Sequence, residues 1–435
     1  MLKIILIIFI GFALSSCGES SVFSGSEMTP VSSPAEFSSE SESEELSSSS
    51  SQKTSFDPMF DTEEYLPAYD YDNHFLPLLR YAAVNDSTVY YLKSCGAESY
   101  LYYYDRKTQI SDVLCGNSDC LHHDKTCKGY VGLCSPGLFL YDGKLYWISA
   151  ILDPDGNSTT DYALHRCNED GSSREQVIRI DTEMRYQYQP CEYYLHRGYL
   201  YFVGEEGTVD EEGNVSQLIT IKAISLKDEN EINTIHEKKY RGVCRPKLYF
   251  SGNRIIYYYG FREGEKIYGS ICSYNIRTGE TEEVWGGYIE DEMGMRLAEQ
   301  SFWIKDDTIY AVFCHYKSDS SETVLKKLEN GRWEEVYVPS EETLLMLDGG
   351  GLLVDYKDEG EDPLNPEGIT IYVRDLEGNL LYKGKLPEIE DRTGILCLGG
   401  SYEEIYISYM AKSKGWAYLI RADIRNQTPP EIIIE

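Results

Sequence analysis

From residue 77 to the C-terminus, apolar and polar positions alternate in short runs separated by Gly-, Asn- and Asp-containing turns. Such alternation puts one face of each run inward and the other outward, the signature of β-strands. One run recurs most clearly. It reads STVYYL at 87–92, GKLYWI at 143–148, GYLYFV at 198–203, NRIIYYY at 253–259, DTIYAVF at 307–313, GLLVDY at 351–356 and EIYISY at 404–409. Aligning Tyr91, Tyr146, Tyr201, Tyr257, Tyr310, Leu353 and Tyr406 gives steps of 55, 55, 56, 53, 43 and 53 residues. A near-constant step of this size marks an array of supersecondary units. A second run keeps pace, from SYLYYYD at 99–105 to YLIRADI at 418–424. Turn signals follow it at Asp170-Gly171, Thr278-Gly279, Asn330-Gly331 and Glu377-Gly378, and then comes an acid-flanked third run such as EQVIRI at 175–180. A short apolar run, LYF at 248–250 or LLML at 344–347, precedes each unit.

Four antiparallel strands repeated seven times predict an all-β fold, a β-propeller of seven blades over residues 77–435. A solenoid would place one or two strands in each repeat, and no helical period is sustained anywhere in the body. PLLRYAAV at 77–84 supplies an innermost strand for the first blade, and EIIIE at 431–435 an outermost strand for the last. No strand need be shared across the seam of the ring.

Upstream of residue 77 the pattern changes. Lys3 precedes an apolar run from Ile4 to Leu14, then Leu14-Ser15-Ser16-Cys17. Eleven apolar residues are too few to span a bilayer, which takes about 20. A charged start, a short apolar core and small residues describe a secretory signal over residues 1–16. The stretch resembles a bacterial lipoprotein signal peptide, which implies that Cys17 is lipidated and becomes the first mature residue. The resemblance implies a chain anchored to the cell membrane on its extracytoplasmic face. From Gly18 to Ser55 there are 16 Ser, with Ser47–Ser51 unbroken and few apolar residues. That composition cannot bury enough apolar surface to offset its conformational entropy, so residues 17–76 are expected to form a disordered acidic stalk. Phe56, Phe60, Tyr65, Tyr69 and Tyr71 lie at its end and are expected to pack on the body as an irregular strap.

Charge narrows the partners. Without the signal, Lys plus Arg falls from 40 to 39 against 73 acids, a net charge of −34. Such a chain does not hold nucleic acid through phosphates, and anionic headgroups repel it, so its membrane contact must come from acyl chains. A surface protein or a glycan remains as the expected partner. The 38 Tyr against 13 Phe suit half-exposed strands, where an amphipathic ring is favoured.

The tandem Gly-Lys-Leu-Tyr-Trp strands and Asp-Gly turns resemble the Tyr-rich propeller bodies of surface lipoproteins from Gram-positive anaerobes. Low-density-lipoprotein-receptor-type and Tol-Pal-type propellers are more general relatives. One segment is sharper: Cys115, Cys120, His122 and Cys127 match a Cys-x4-Cys-x-His-x4-Cys run that these lipoproteins carry after the first blade. The family has no established activity to carry over.

Taken on its chemistry, that segment places three thiols and an imidazole within 13 residues, a donor set for tetrahedral structural zinc. His123 is an equally close nitrogen donor. Disulfides are the competing reading in an exported protein, with Cys134 as a further partner for Cys115 or Cys120, and free thiols are a third. Each reading fastens a long loop between the first and second blades. The remaining cysteines fall singly in or beside strands and read as small buried hydrophobes.

Other motifs carry little. Asp153-Pro154-Asp155-Gly156-Asn157 lacks the later ligands of a calcium loop and reads as a hairpin turn, while GEEGTVDEEGN at 204–214 reads as a solvated acidic loop. There is no nucleophile elbow or phosphate loop, and the remaining histidines have no triad spacing. The sequence therefore predicts a binding or protein-interaction module. The alternative is a glycan-acting enzyme with its site at the propeller channel. A solute-binding receptor ranks last, because it needs strands alternating with helices.

Overall fold

The computed structural model describes residues 58–76, 80–95, 98–117, 119–122, 124–180, 192–209, 215–241, 246–263, 266–289, 296–305, 308–316, 321–338, 346–347, 352–358, 368–389, 392–411 and 415–435. The segments 1–16 and 17–57, with Cys17, lie outside the described residues.

The body is a seven-bladed β-propeller, each blade a four-stranded antiparallel meander in chain order. The blades span 82–113, 134–180, 192–241, 247–288, 296–337, 346–385 and 392–434. The recurrent Tyr-bearing runs are the second strand of every blade, from Thr88–Cys95 in blade one to Glu404–Ala411 in blade seven. First strands of blades one, two and three adjoin in turn, as do those of blades four, five and six, which places them toward the axis. Asn330 (φ 50°) and Gly331 (φ 75°) both take the left-handed conformation, and the turn joins Glu329 to Arg332 as the type I′ hairpin predicted there.

The repeated aromatic position shows why Tyr exceeds Phe. Tyr91, Tyr146, Tyr201, Tyr257 and Tyr406 are at most 2% exposed. A buried ring stabilises, but a buried hydroxyl must find a partner. Tyr91 bonds Ser408 Oγ at 2.6 Å across the seam between blades one and seven, and Tyr257 meets His236 Nδ1 of blade three at 3.4 Å. Arg166 donates to Tyr146 at 3.3 Å, and Tyr406 donates to Glu404. The hydroxyls thus join strands and blades that the rings already pack together.

Among the described residues no sheet mixes strands from the two ends of the chain. The seam is closed by side chains. Val89, Tyr91, Leu396, Leu398, Tyr406, Leu419 and Ile433 share one core cluster there. Arg106 of blade one pairs with Glu404 of blade seven, which also holds Arg421 at 2.6 Å.

One expectation needs adjusting. Residues 204–209 are strand, not loop: they extend the second strand of blade three, and Glu205 pairs with Ile219 in register with the buried part of the hairpin. The cross-strand ladder continues outward as far as Val209 opposite Val215. Residues 58–76 form the expected strap against the ring.

That strap crosses the inner turns of blades two, three and four. Asp142 N–H donates to Ala68 O at 2.7 Å, and Arg197 N–H to Tyr69 O at 2.8 Å. Arg197, 1% exposed, binds Asp70 at 2.6 Å and Asn253 Oδ1 at 2.7 Å, and donates to the carbonyls of Phe60, Thr62 and Glu64. Tyr71 packs among Phe139, Tyr194 and Phe250, one ring from the first strand of each of these blades. The strap then reaches blade seven, where Gly400 N–H donates to His74 O and Leu76 N–H to Leu398 O, both at 2.9 Å. Buried Arg80 lies over the rings of Tyr71, Phe75 and Phe139 at 4.6, 5.4 and 5.1 Å. These side chains are buried together beneath the strap.

Candidate metal centre

The Cys/His segment is an insertion into the outer edge of blade one. The fourth strand, Ile110–Val113, pairs with the third, Glu98–Asp105. At Leu101 the partner changes. Its carbonyl accepts from Leu114 N–H at 2.7 Å, while its own N–H donates to Gly129 O at 2.9 Å. Val131 N–H then donates to Ser99 O at 2.9 Å, and Tyr130 bridges Tyr100. Residues 115–128 therefore loop out between two pieces of one strand edge, and a single residue pins both ends.

Within the loop, two short turns present the thiols. Asn117 accepts from Asp119 N–H through its side chain and from Cys120 N–H through its carbonyl. Asp124 does the same for Thr126 and Cys127. Asx turns of this kind are local and rigid, so each fixes a Cys three residues after the Asx. His122 stands at φ 56°, a left-handed conformation that costs a non-glycine residue roughly 1–2 kcal/mol. That backbone turns the imidazole back toward Cys127, with Nδ1 3.4 Å from its Sγ.

The donor atoms of Cys115, Cys120, His122 and Cys127 all lie within 4.8 Å of one another. Zn–S bonds of about 2.3 Å place tetrahedral sulfurs about 3.7 Å apart, so a closure of about 1 Å brings this set onto an ion. Cys115 and Cys127 are buried, at 3% and 4% exposed, and Cys120 and His122 are half-buried. Gly129 N–H donates to Cys127 Sγ at 3.2 Å, and His122 Nε2 faces Asp112 Oδ1 at 3.8 Å, beyond hydrogen-bond reach. A Cβ on Gly129 would meet Val113 Cγ1 at 2.0 Å and Cys127 Sγ at 3.3 Å, so only glycine fits.

Electrostatics separate the thiols. Burial opposes the thiolate at Cys115, but hydrogen bonds from Cys127, Cys120 and the backbone N–H groups of Lys128 and Asn117 outweigh it and hold this thiol below its usual range. Burial pushes Cys127 up to about 12. Four protein donors leave no position for water, so the set suits a structural ion rather than a catalytic one.

The structure brings together four of the candidate residues. His123 lies outside the described residues, and His122 supplies the nitrogen. Cys134 does not join the set: it opens blade two with its Sγ 3.9 Å from Gly132 O, and burial pushes its pKa up to about 12. Cys115, Cys120, Cys127 and Cys134 are all free thiols, so the structure holds no bridge among them. The loop does fasten blade one to blade two. Lys125 Nζ bonds Asn157 Oδ1 at 2.6 Å, and Leu133 N–H bonds Ser158 Oγ at 3.0 Å. The Asp153–Asn157 segment is the expected hairpin turn, closed by Asp153 N–H to Asn157 O at 2.9 Å.

Sequence reasoning missed Asp112, Gly129 and Arg174. Asp112 sits on an exposed strand and Arg174 on another blade, so no spacing announces them. Gly129, two residues after Cys127, is the one with a local signal, since an N–H at that offset is placed to reach the sulfur.

No protein-family model and no curated relative matches the chain. Among solved structures it is similar to the β-propeller domain of the Trilobed protease from Pyrococcus furiosus, which has an open velcro topology (9% identity, 81% of this chain and 96% of that one, TM-score 0.47). It is similar also to the Pyrococcus horikoshii acylaminoacyl peptidase (11%, 84% and 54%, 0.46) and to the Vibrio parahaemolyticus oligogalacturonate lyase (11%, 85% and 91%, 0.46). The chain spans about half the length of the acylaminoacyl peptidase. At these identities and TM-scores neither activity nor substrate carries over.

Proposed function

We propose that this chain is a lipid-anchored, extracytoplasmic propeller that serves as a binding module for a surface protein or glycan, with its blade-one insertion folded on a structural zinc ion. The observation that carries the anchor is Leu14-Ser15-Ser16-Cys17 behind a short apolar core, followed by a Ser- and Glu-rich segment. Among the described residues no helix is long and apolar enough to cross a membrane. The Cys3His set supports the zinc ion. A rigid ring with loops at its ends supports the module, because such scaffolds present binding residues on their loops.

The anchor is tested by Cys17→Ala. The variant leaves the membrane fraction, whereas the parent stays through a high-salt wash; a variant that remains bound places the anchor elsewhere. The body, offered a panel of acidic and neutral glycans, binds without releasing product. Turnover of any of them would move the reading to an enzyme.

A further inference from the structure

Arg174 stands just before the fourth strand of blade two, Glu175–Ile180, and faces the insertion of blade one. Its guanidinium carbon lies 5.1 Å from the centre of the Trp147 ring, which also stacks on His165 at 5.6 Å. One arm donates to Tyr130 O at 3.3 Å, three residues after Cys127. The other arm and Nε are buried and have no hydrogen-bond partner. A buried cation with open donors is costly unless an anion offsets it.

The groups around it are thiols. Cys167, Cys127, Cys115 and Cys134 all act on its charge. Of these four, Cys115 and Cys127 belong to the set whose donor atoms converge within 4.8 Å, and Tyr130, which Arg174 holds, lies three residues from Cys127. A divalent ion held by three thiolates and a neutral imidazole carries one net negative charge.

We propose that Arg174 is the counter-charge of the Cys115–Cys120–His122–Cys127 centre, reaching from blade two to neutralise a metal site built on blade one. This rests on the zinc reading. Trp147 and Tyr130 O hold the guanidinium in place, and the site is complete only when the two blades are docked. Metal binding is thereby coupled to the blade one–blade two interface. Arg174 acts as a positioning charge and is not a ligand.

The test uses the full chain, with zinc affinity measured by chelator competition. The parent binds one zinc. Arg174→Met keeps the volume but removes the charge, and loses affinity by roughly 10–100-fold, the usual effect of removing an outer partner of a metal site. Arg174→Lys keeps the charge and restores most of that loss, and the zinc-free forms of parent and variants melt together. Arg174→Gln is the second neutral variant if the Met form does not fold. A parent that binds no zinc overturns the zinc reading itself. A zinc-binding parent with unchanged affinity in both neutral variants, or a Lys variant as weak as Met, overturns the role of Arg174 alone.

Discussion

His196 shows how a single side chain is committed to one protonation state. Its Nδ1 accepts from Tyr71 N–H at 2.9 Å, and its Nε2 faces Gly252 O at 2.9 Å, so one neutral tautomer satisfies both. Burial lowers its pKa to about 4, although Asp70 pulls the other way. Burial also lowers His165 and His236 to about 4. Each folded-state value lies below the unfolded value of about 6.5, so the unfolded chain binds more protons between the two. The stability these groups contribute is present above pH 6.5 and is lost as pH falls from about 6.5 toward about 4, at up to about 1.4 kcal/mol per pH unit for each. Melting temperature should fall steadily from pH 7 to pH 4.5, and a flat profile would show that these rings are not held neutral. At this scale the sequence was partly legible. The recurrent Tyr identified the buried position in each second strand, but nothing near His196 marked it as the acceptor for Tyr71, 125 residues away.

The strap and the blade-one insertion are the two elements that depart from the repeat. The strap was visible as aromatics among acids, but its route was not, because every contact that fixes it is long-range. Asp70 and Arg197, 127 residues apart, form its centre. Removing one member of a buried ion pair leaves the other uncompensated and typically costs 3–5 kcal/mol. Asp70→Ala is therefore expected to lower unfolding free energy by about that amount in denaturant titration, and Asp70→Asn by less. A loss under about 1 kcal/mol would mean the strap does not stabilise the ring. Hydrogen exchange should rise at Leu76 and Gly400, where the strap meets blade seven. The insertion was legible as chemistry, since Cys115, Cys120, His122 and Cys127 lie close in sequence. Its return to the same strand edge at Leu101 was not, because no periodicity reports a strand built in two pieces.

Among the described residues the ring closes without a shared strand, as the runs at 77–84 and 431–435 predicted. The closure rests on the seam core around Tyr91 and Tyr406, on the Arg106–Glu404–Arg421 network and on the strap, which joins blades two to four with blade seven. The repeat was legible at this scale because seven copies reinforce one another, whereas the Cys/His set occurs once among the described residues, with Gly129 N–H on Cys127 Sγ and Asp112 facing His122. Zinc content tests the account most directly. Protein purified without chelator should carry one zinc per chain by elemental analysis, and Cys127→Ser should lose most of it while keeping the β-sheet signature. A chain without metal whose Cys115, Cys120 or Cys127 is bridged in peptide mapping would contradict the centre described here.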